Sequence, residues 1–357
     1  MYDYVNYMRM EQNRVISSVN HSKISSEKVN LSVSISQIKK DTHKLSKMYD
    51  FKKYMDSSDM VFPPEMDEMI PKDTPPYLDN GEHYVERIGR ALKFFKQCAL
   101  IGPSGTGKTH IVYLVAELAG LPMWEIKCGL ATSVFDLFGR YVGLGKENWI
   151  DGLITGWCRK GGILYLDEVN MMKQDVATKL NPLLDQRGHM VLTEKDSEII
   201  HRHKHAYMII SMNPVSSEFA GTKPINAAMR RRMSVWLNFD YMSIGDNIDE
   251  KEFQMVSERG GISLKDAEII VKIGAKLRQE YKTGDLPYGP SIGDLVNWAK
   301  ICSDGVDIPT GGNETLVPMT SDDQEVQEEV RQIIKKVIEG ESKSSYISTL
   351  SSRKYTE

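Results

Sequence analysis

The sequence lacks the features of a stapled or membrane-spanning chain. Its 357 residues include four widely spaced cysteines, Cys98, Cys128, Cys158 and Cys302. No C-x-x-C pair and no histidine at zinc-finger spacing accompanies them, so buried reduced thiols are expected rather than disulfides or zinc. No apolar run approaches the roughly 20 residues of a membrane span. The opening MYDYVNYMRM does not follow the basic-then-apolar order of a secretory leader. Neither sign of charge dominates: 45 Lys and Arg oppose 49 Asp and Glu, for a net −4. A wholesale nucleic-acid binder is usually basic, so such a role would have to rest on a local patch. No internal repeat is found. A soluble, cytoplasmic chain is expected, and a typical domain of about 150 residues implies two or three domains.

What is present is unevenly spread. Residues 1–55 hold ten basic against five acidic side chains and many serines, with Leu31, Val33 and Ile35 alternating as in a half-buried strand. They read as an arm. Residues 56–79 reverse the balance, seven acids against one Lys, and hold five of the 14 prolines. Taken to residue 81, this segment reads as an extended linker, because proline fixes φ and removes a donor.

From residue 82 the pattern turns α/β. An amphipathic helix is predicted over 82–95, with Val85, Ile88, Leu92 and Phe95 on one side, then a strand over 98–101. A helix over Lys108–Ala119 and strands over Met123–Lys127, 163–167 and Ala206–Met212 follow. Alternating strands and helices predict a parallel sheet covered on both faces. This region, 82–240, is read as one domain, followed by a helical domain over 241–302. Ile269, Ile270, Ile273 and Leu277 form one apolar stripe there; Ile292, Leu295, Val296 and Ala299 form another. A Gly/Pro/Asp-rich loop over 304–323 precedes a third stripe, Val326, Val330, Ile333 and Val337, so 303–338 reads as a loop and a helix. The Ser-rich end, 339–357, reads as a flexible tail.

Between the first strand and its helix stands GPSGTGKT: Gly102, Pro103, Ser104, Gly105, Thr106, Gly107, Lys108 and Thr109. Glycines let successive N–H groups curl toward phosphate oxygens, and the helix N-terminus adds its dipole. Lys108 can reach the β- and γ-phosphates, and the Thr109 hydroxyl can bind Mg²⁺. In ILYLDEVN an apolar strand ends in Asp167 and Glu168. The first carboxylate can serve Mg²⁺, partly through water, and the second can activate an attacking water. Asn213, ending another strand, could orient that water, although Asn-Pro alone is an ordinary turn. Arg230, Arg231 and Arg232 would alone be a solvated face, but phosphoryl transfer gains greatly from a guanidinium supplied in trans.

A Walker A loop, an Asp-Glu Walker B strand, a sensor Asn and an Arg cluster in this order resemble the AAA+ ATPases, and most closely the MoxR/CbbQ group of the dynein- and midasin-related subfamily. The family-like strings are DLFGRYV, DGLITGWCRKGGILYLDEVN, KLNPLLDQRG, SMNP and INAAMRRRM, within residues 82–302. The resemblance implies an α/β P-loop nucleotide domain with strand order 5-1-4-3-2, a small helical lid and ATP with Mg²⁺ as cofactors. It also implies hexameric rings of the chain with itself. Nucleotide would sit between subunits, with an arginine finger on Arg232 first and Arg231 second. Glu168 is the base by this reading and Asn213 the sensor. The ring would remodel or activate a protein client, and relatives work with a partner bearing a von Willebrand factor A domain.

Two departures stand out. Met233 occupies a position where the family places Phe. In Ser291-Ile292-Gly293-Asp294-Leu295, Gly293 occupies the slot of a second-sensor Arg, which weakens lid closure on ATP unless another residue such as Arg278 substitutes. The group's two pore-facing insertions are matched by 139–153 and 190–200. In the first, Trp149 is either a client contact or a staple to the core. His201, His203 and His205 alternate, but no fourth metal ligand is evident, so they read as a basic turn. The methionines are scattered core filler. The alternatives are a nucleic-acid motor or McrB-like GTPase, and an ATP-binding assembly protein with little turnover.

Overall fold

The computed structural model describes residues 49, 51–55, 60–143, 148–185, 187–214 and 225–353. The strand suggested at Leu31–Ile35 and most of the basic arm lie outside them. Strands β1 (Gln97–Ile101), β2 (Met123–Lys127), β5 (Gly162–Asp167), β8 (Ala206–Met212) and β9 (Trp236–Asn238) form one sheet, all pairs parallel. Across the sheet they run β2-β5-β8-β1-β9. Counted along the chain, this is the order 5-1-4-3-2. The short edge strand β9 was not placed from sequence, since three residues carry no readable period.

Period-two alternation sorts the strand side chains between the faces. Leu164 and Leu166 of β5, with Met208, Ile210 and Met212 of β8, pack into one core with Leu137, Phe138, Ile154 and Trp157. The alternate residues of β5, Ile163, Tyr165 and Asp167, therefore share the opposite face. Helix α1 (Tyr84–Phe95) starts later than predicted because the Asp79 carboxylate accepts from the N–H groups of Gly81, His83 and Tyr84. Its stripe ends at Leu92; Phe95 is 50% exposed, a correction to the sequence reading. Helix α2 (Lys108–Ala119) follows the Gly-rich loop and buries Ile111, Leu114 and Val115.

Two antiparallel hairpins interrupt the domain. The first pairs β3 (Gly139–Tyr141) with β4 (Trp149–Asp151); the second pairs β6 (His189–Leu192) with β7 (Glu198–His201). Helix α4 (Leu153–Lys160), preceded by α3 (Val134–Phe138), carries Arg159 between them. Its guanidinium bridges Asp151 at 2.9 Å and Glu198 at 2.8 Å, one carboxylate from each hairpin.

Beyond Asp240 the chain is helical. After the short helices α5 (Gln174–Thr178), α6 (Asn181–Leu184) and α7 (Ala227–Arg232) come α8 (Glu250–Gly260), α9 (Leu264–Thr283) and α10 (Ile292–Ser303). The predicted loop over 304–323 is instead largely helix α11 (Ile308–Thr320). Its composition misled for a physical reason. Asp307 caps the first turn, Pro309 sits where no N–H is needed, and Gly311 and Gly312 let the backbone lie on the Trp298 ring. Cβ atoms there would approach that ring to 3.0 and 2.8 Å. Helix α12 (Gln324–Arg353) adds Val330 and Ile334 to the same core as Ile270, Leu295 and Trp298. It also runs into the segment read as a flexible tail.

Candidate functional site

A cleft of about 830 Å³ lies between the Gly-rich loop and the lid helices. Ser104 to His110, Asp167, Glu168, Asn213, Tyr241, Ser291 and Gly293 line it, so residues distant in sequence converge on one cavity. The loop bends through Gly105 (φ 77°) and Gly107 (φ 83°), left-handed values that burden any side chain. Space is equally restrictive there. A Cβ on Gly105 would meet Ser291 Cβ at 2.4 Å, and one on Gly107 would meet the Tyr77 ring at 2.8 Å.

Lys108 opens α2 and is buried. Its ammonium donates to the carbonyls of Gly102 and Pro103, both at 2.7 Å, and to Asn213 Oδ1 at 3.1 Å. Burial lowers its pKa to about 8, against the opposing pull of Asp167 and Glu168. The Thr106 hydroxyl closes the loop on Pro103 O.

Behind the loop is a hydroxyl network that went unpredicted. The Tyr165 phenol lies 3.1 Å from Thr109 Oγ1 and donates to Asp167 Oδ1 at 3.0 Å. Ser211 Oγ also donates to Asp167 Oδ1, and the Glu168 N–H points at both Asp167 Oδ1 and Ser211 Oγ. Burial holds the phenol well above its usual range, so it remains a donor. The signal was present: Tyr165 and Ser211 each stand two residues before a motif residue, in strands otherwise read as apolar. Glu168 takes a left-handed turn (φ 52°), costly for a non-glycine, that swings its carboxylate off the strand end. That carboxylate contacts Lys127 of β2 at 3.4 Å.

The segment read as an extended linker does more than connect. Pro64–Met69 is a short 3₁₀ turn that buries Met66, and the following residues strap the loop. Tyr77 OH donates to Thr106 O, His110 meets Pro75 O, and Glu117 accepts from the N–H groups of Asp73 and Thr74.

Arg230, Arg231 and Arg232 end α7, and none of them lines the chain's own cleft. The Arg230 guanidinium lies over Trp236, and Arg232 is half-buried and donates to Ala228 O. Arg231 is exposed. The proposed stand-in, Arg278, is fully buried. Its Nε donates to Pro290 O, its Nη1 to Ser243 O and contacts Glu252 at 2.8 Å, and its Nη2 has no hydrogen-bond partner among the described residues. It lines the cleft from the lid side, held there by these partners. Gly293 lines the cleft with open space at its missing Cβ apart from Ser291 Oγ at 3.4 Å.

Trp149 is half-buried against Tyr141 at 5.1 Å, donates to Asp151 and lies beneath Lys195. It staples the hairpins, leaving Ile150 and Ile199 as exposed apolar side chains. His201 faces His189 across the second hairpin, while His203 contacts His205.

Thr109 and Asp167 offer hydroxyl and carboxylate oxygens, the donors a small hard cation prefers. Among the described residues no three His, Cys, Asp or Glu side chains gather as a metal site. Such an ion would therefore take most of its ligands from phosphate and water, which suits Mg²⁺.

A parallel 5-1-4-3-2 sheet, a phosphate loop and a helical lid closing one cleft define an AAA-type ATPase. Comparison with known proteins agrees: residues 97–233 match the AAA domain (dynein-related subfamily), and residues 252–337 match the CbbQ/NirQ/NorQ C-terminal family. The chain is 30% identical over 254 residues to the denitrification regulatory protein NirQ of Pseudomonas aeruginosa, covering 71% of this chain and 94% of that protein. It is 28% identical to protein CbbQ of Hydrogenophilus thermoluteolus, covering 71% and 95%. It is 29% identical to NorQ of Paracoccus denitrificans, covering 73% and 93%. The chain belongs to the MoxR/CbbQ group of AAA+ ATPases. No described helix is long and apolar enough to cross a membrane.

Proposed function

We propose that the chain hydrolyses ATP with Mg²⁺ as a ring and uses the energy to remodel or activate a protein client. The observation that carries this is the convergence of Lys108, Asp167, Glu168 and Asn213 on one cleft. The loop 102–109 and Lys108 hold phosphates, and Thr109 and Asp167 serve the cation. Bound Mg²⁺ would neutralise developing charge on the phosphates. Glu168 takes the proton of the attacking water, and Asn213, held to Lys108, orients that water.

For the finger in a neighbour's site we now rank Arg231 ahead of Arg232. Arg231 is exposed, whereas Arg232 is tied back to its own helix. The hairpins are the client-facing surface of this reading, through Ile150 and Ile199 rather than Trp149. A von Willebrand factor A-domain partner is carried as part of it. Gly293 favours a second reading, nucleotide-driven assembly with little turnover.

Replacing Glu168 by Gln decides between them. Glu168→Gln should bind ATP like the wild type yet lose about 10²–10⁴-fold in turnover, the usual contribution of a positioned base. Turnover unchanged from a readily measured wild-type rate would sink the base assignment. A wild type with no measurable turnover that assembles on ATP would favour the second reading.

A further inference from the structure

We infer that Tyr165 is a positioning residue joining the two cation-binding side chains of the site, so that Thr109 and Asp167 act as one unit. The inference rests on the nucleotide reading above and extends it to a residue of the Walker B strand that was given no role from sequence.

The geometry is specific. Tyr165 is fully buried on an inner strand of the sheet, where an apolar side chain would be the default. Alternation along β5 places it on the same face as Asp167, two residues on. Its oxygen sits 3.1 Å from Thr109 Oγ1, 3.0 Å from Asp167 Oδ1 and 3.2 Å from Ser211 Oγ.

A phenol has one proton to give, and a carboxylate is its strongest acceptor. With that O–H directed at Asp167, the Thr109 hydroxyl must donate to the phenol oxygen. Two consequences follow. The Thr109 hydrogen is turned inward toward β5, which leaves its oxygen lone pairs for a cation in the cleft. Asp167 Oδ1 is filled by Tyr165, Ser211 and the Glu168 N–H, which leaves Oδ2 for a cation or its water. Without the phenol, the Thr109 hydroxyl loses its link to the Walker B strand. A phenylalanine would fill the same volume and lose only that link.

Groups that orient metal ligands typically change metal affinity by about 10–100-fold when removed. The test uses the full chain, a fluorescent ATP analogue and two conditions, chelator alone and a Mg²⁺ titration. In chelator, Tyr165→Phe and wild type should bind the analogue within about twofold. The Mg²⁺ concentration that half-tightens binding should then rise by about tenfold or more in Tyr165→Phe. An unchanged Mg²⁺ midpoint in Tyr165→Phe overturns the inference while leaving the nucleotide reading intact. Equal weakening in chelator and in Mg²⁺ also overturns it, since that is the mark of general packing damage. If Tyr165→Phe does not fold, Ser211→Ala, which removes a smaller part of the network, should shift the same midpoint in the same direction, and no shift overturns the inference. No binding by wild type in either condition would overturn both readings.

Discussion

The two walls of the cleft follow opposite plans. On the sheet side, direct hydrogen bonds tie Lys108 to Asn213, and Thr109 through Tyr165 to Asp167. On the lid side, the buried polar groups bond chiefly to one another, although Arg278 also lines the cleft. Arg278 and Glu252 pair at zero exposure, Glu252 also accepts from the Ser243 N–H, and Gly293 offers the cleft no side chain at all. Arg259 and Lys300 reach the cleft only as long exposed side chains. The sheet wall is therefore organised for chemistry on phosphates, and the lid wall for holding its own shape.

The largest expected effect tests the lid half of that contrast. Glu252→Ala would leave Arg278 as an uncompensated buried charge, which typically costs about 3–5 kcal/mol. Urea unfolding of the variant should register it, chiefly as loss of the helical region. A cost below about 1 kcal/mol would put the pair on a level with a surface ion pair and erase the contrast.

How far the two walls could be read from sequence follows the same division. The sheet wall was legible because phosphate chemistry demands particular residues at particular spacings. GPSGTGKT, Asp167-Glu168 and Asn213 were placed, and strands β2 and β8 had their observed bounds. Tyr165 escaped because a tyrosine in a buried strand reads as an apolar residue until its hydroxyl partners are seen. The lid was harder. Helix α11 reads as a loop because Gly311 and Gly312 are spent on packing against Trp298, Pro309 on the first turn, and Pro318 lies inside the helix. Arg278 lines the cleft, but nothing local to it reveals its pairing with Glu252, 26 positions earlier. Distant pairing, not local pattern, separates what was visible from what was not.

A middle-sized effect concerns pH and the sheet wall. Burial lowers the Lys108 pKa from an ordinary value near 10.5 to about 8. Below that pH the ammonium is present and binds phosphate. Above it, binding must first restore the proton, so ATP affinity should fall by up to about tenfold per unit between pH 8 and 10. The stability of the nucleotide-free chain should respond in the opposite sense. Between about 8 and 10.5 the unfolded chain binds the proton that the folded one has lost, so this residue makes the fold more stable as pH rises. Lys108→Met should lack both trends when affinity and melting temperature are followed together. Parallel rather than opposite trends in the wild type would show that Lys108 is not the titrating group.

The smallest expected effect asks whether the lid wall can be given the chemistry it lacks. Gly293 stands in the first turn of α10, exposed, at an ordinary backbone conformation, and a Cβ there meets only Ser291 Oγ at 3.4 Å. Gly293→Arg should therefore fold. The replacement gains about 0.8–1 kcal/mol of helix propensity, and a cation at a helix N-terminus gives back about 0.3–1 kcal/mol, so the melting temperature should barely move. The guanidinium would enter the cleft beside the phosphate loop, where Gly105 already packs on Ser291. A charge-assisted hydrogen bond to a phosphate oxygen contributes about 1.5–3 kcal/mol at best, less the entropy of ordering a long exposed side chain. A net tightening of ATP over ADP by about three- to tenfold is expected, read from competition binding of the two nucleotides. Equal gains for ATP and ADP would mean that the new side chain senses only general negative charge. No gain at all would mean that Gly293 faces too far from the phosphates for the lid to acquire a sensor by one substitution, and that closure in this chain depends on packing alone.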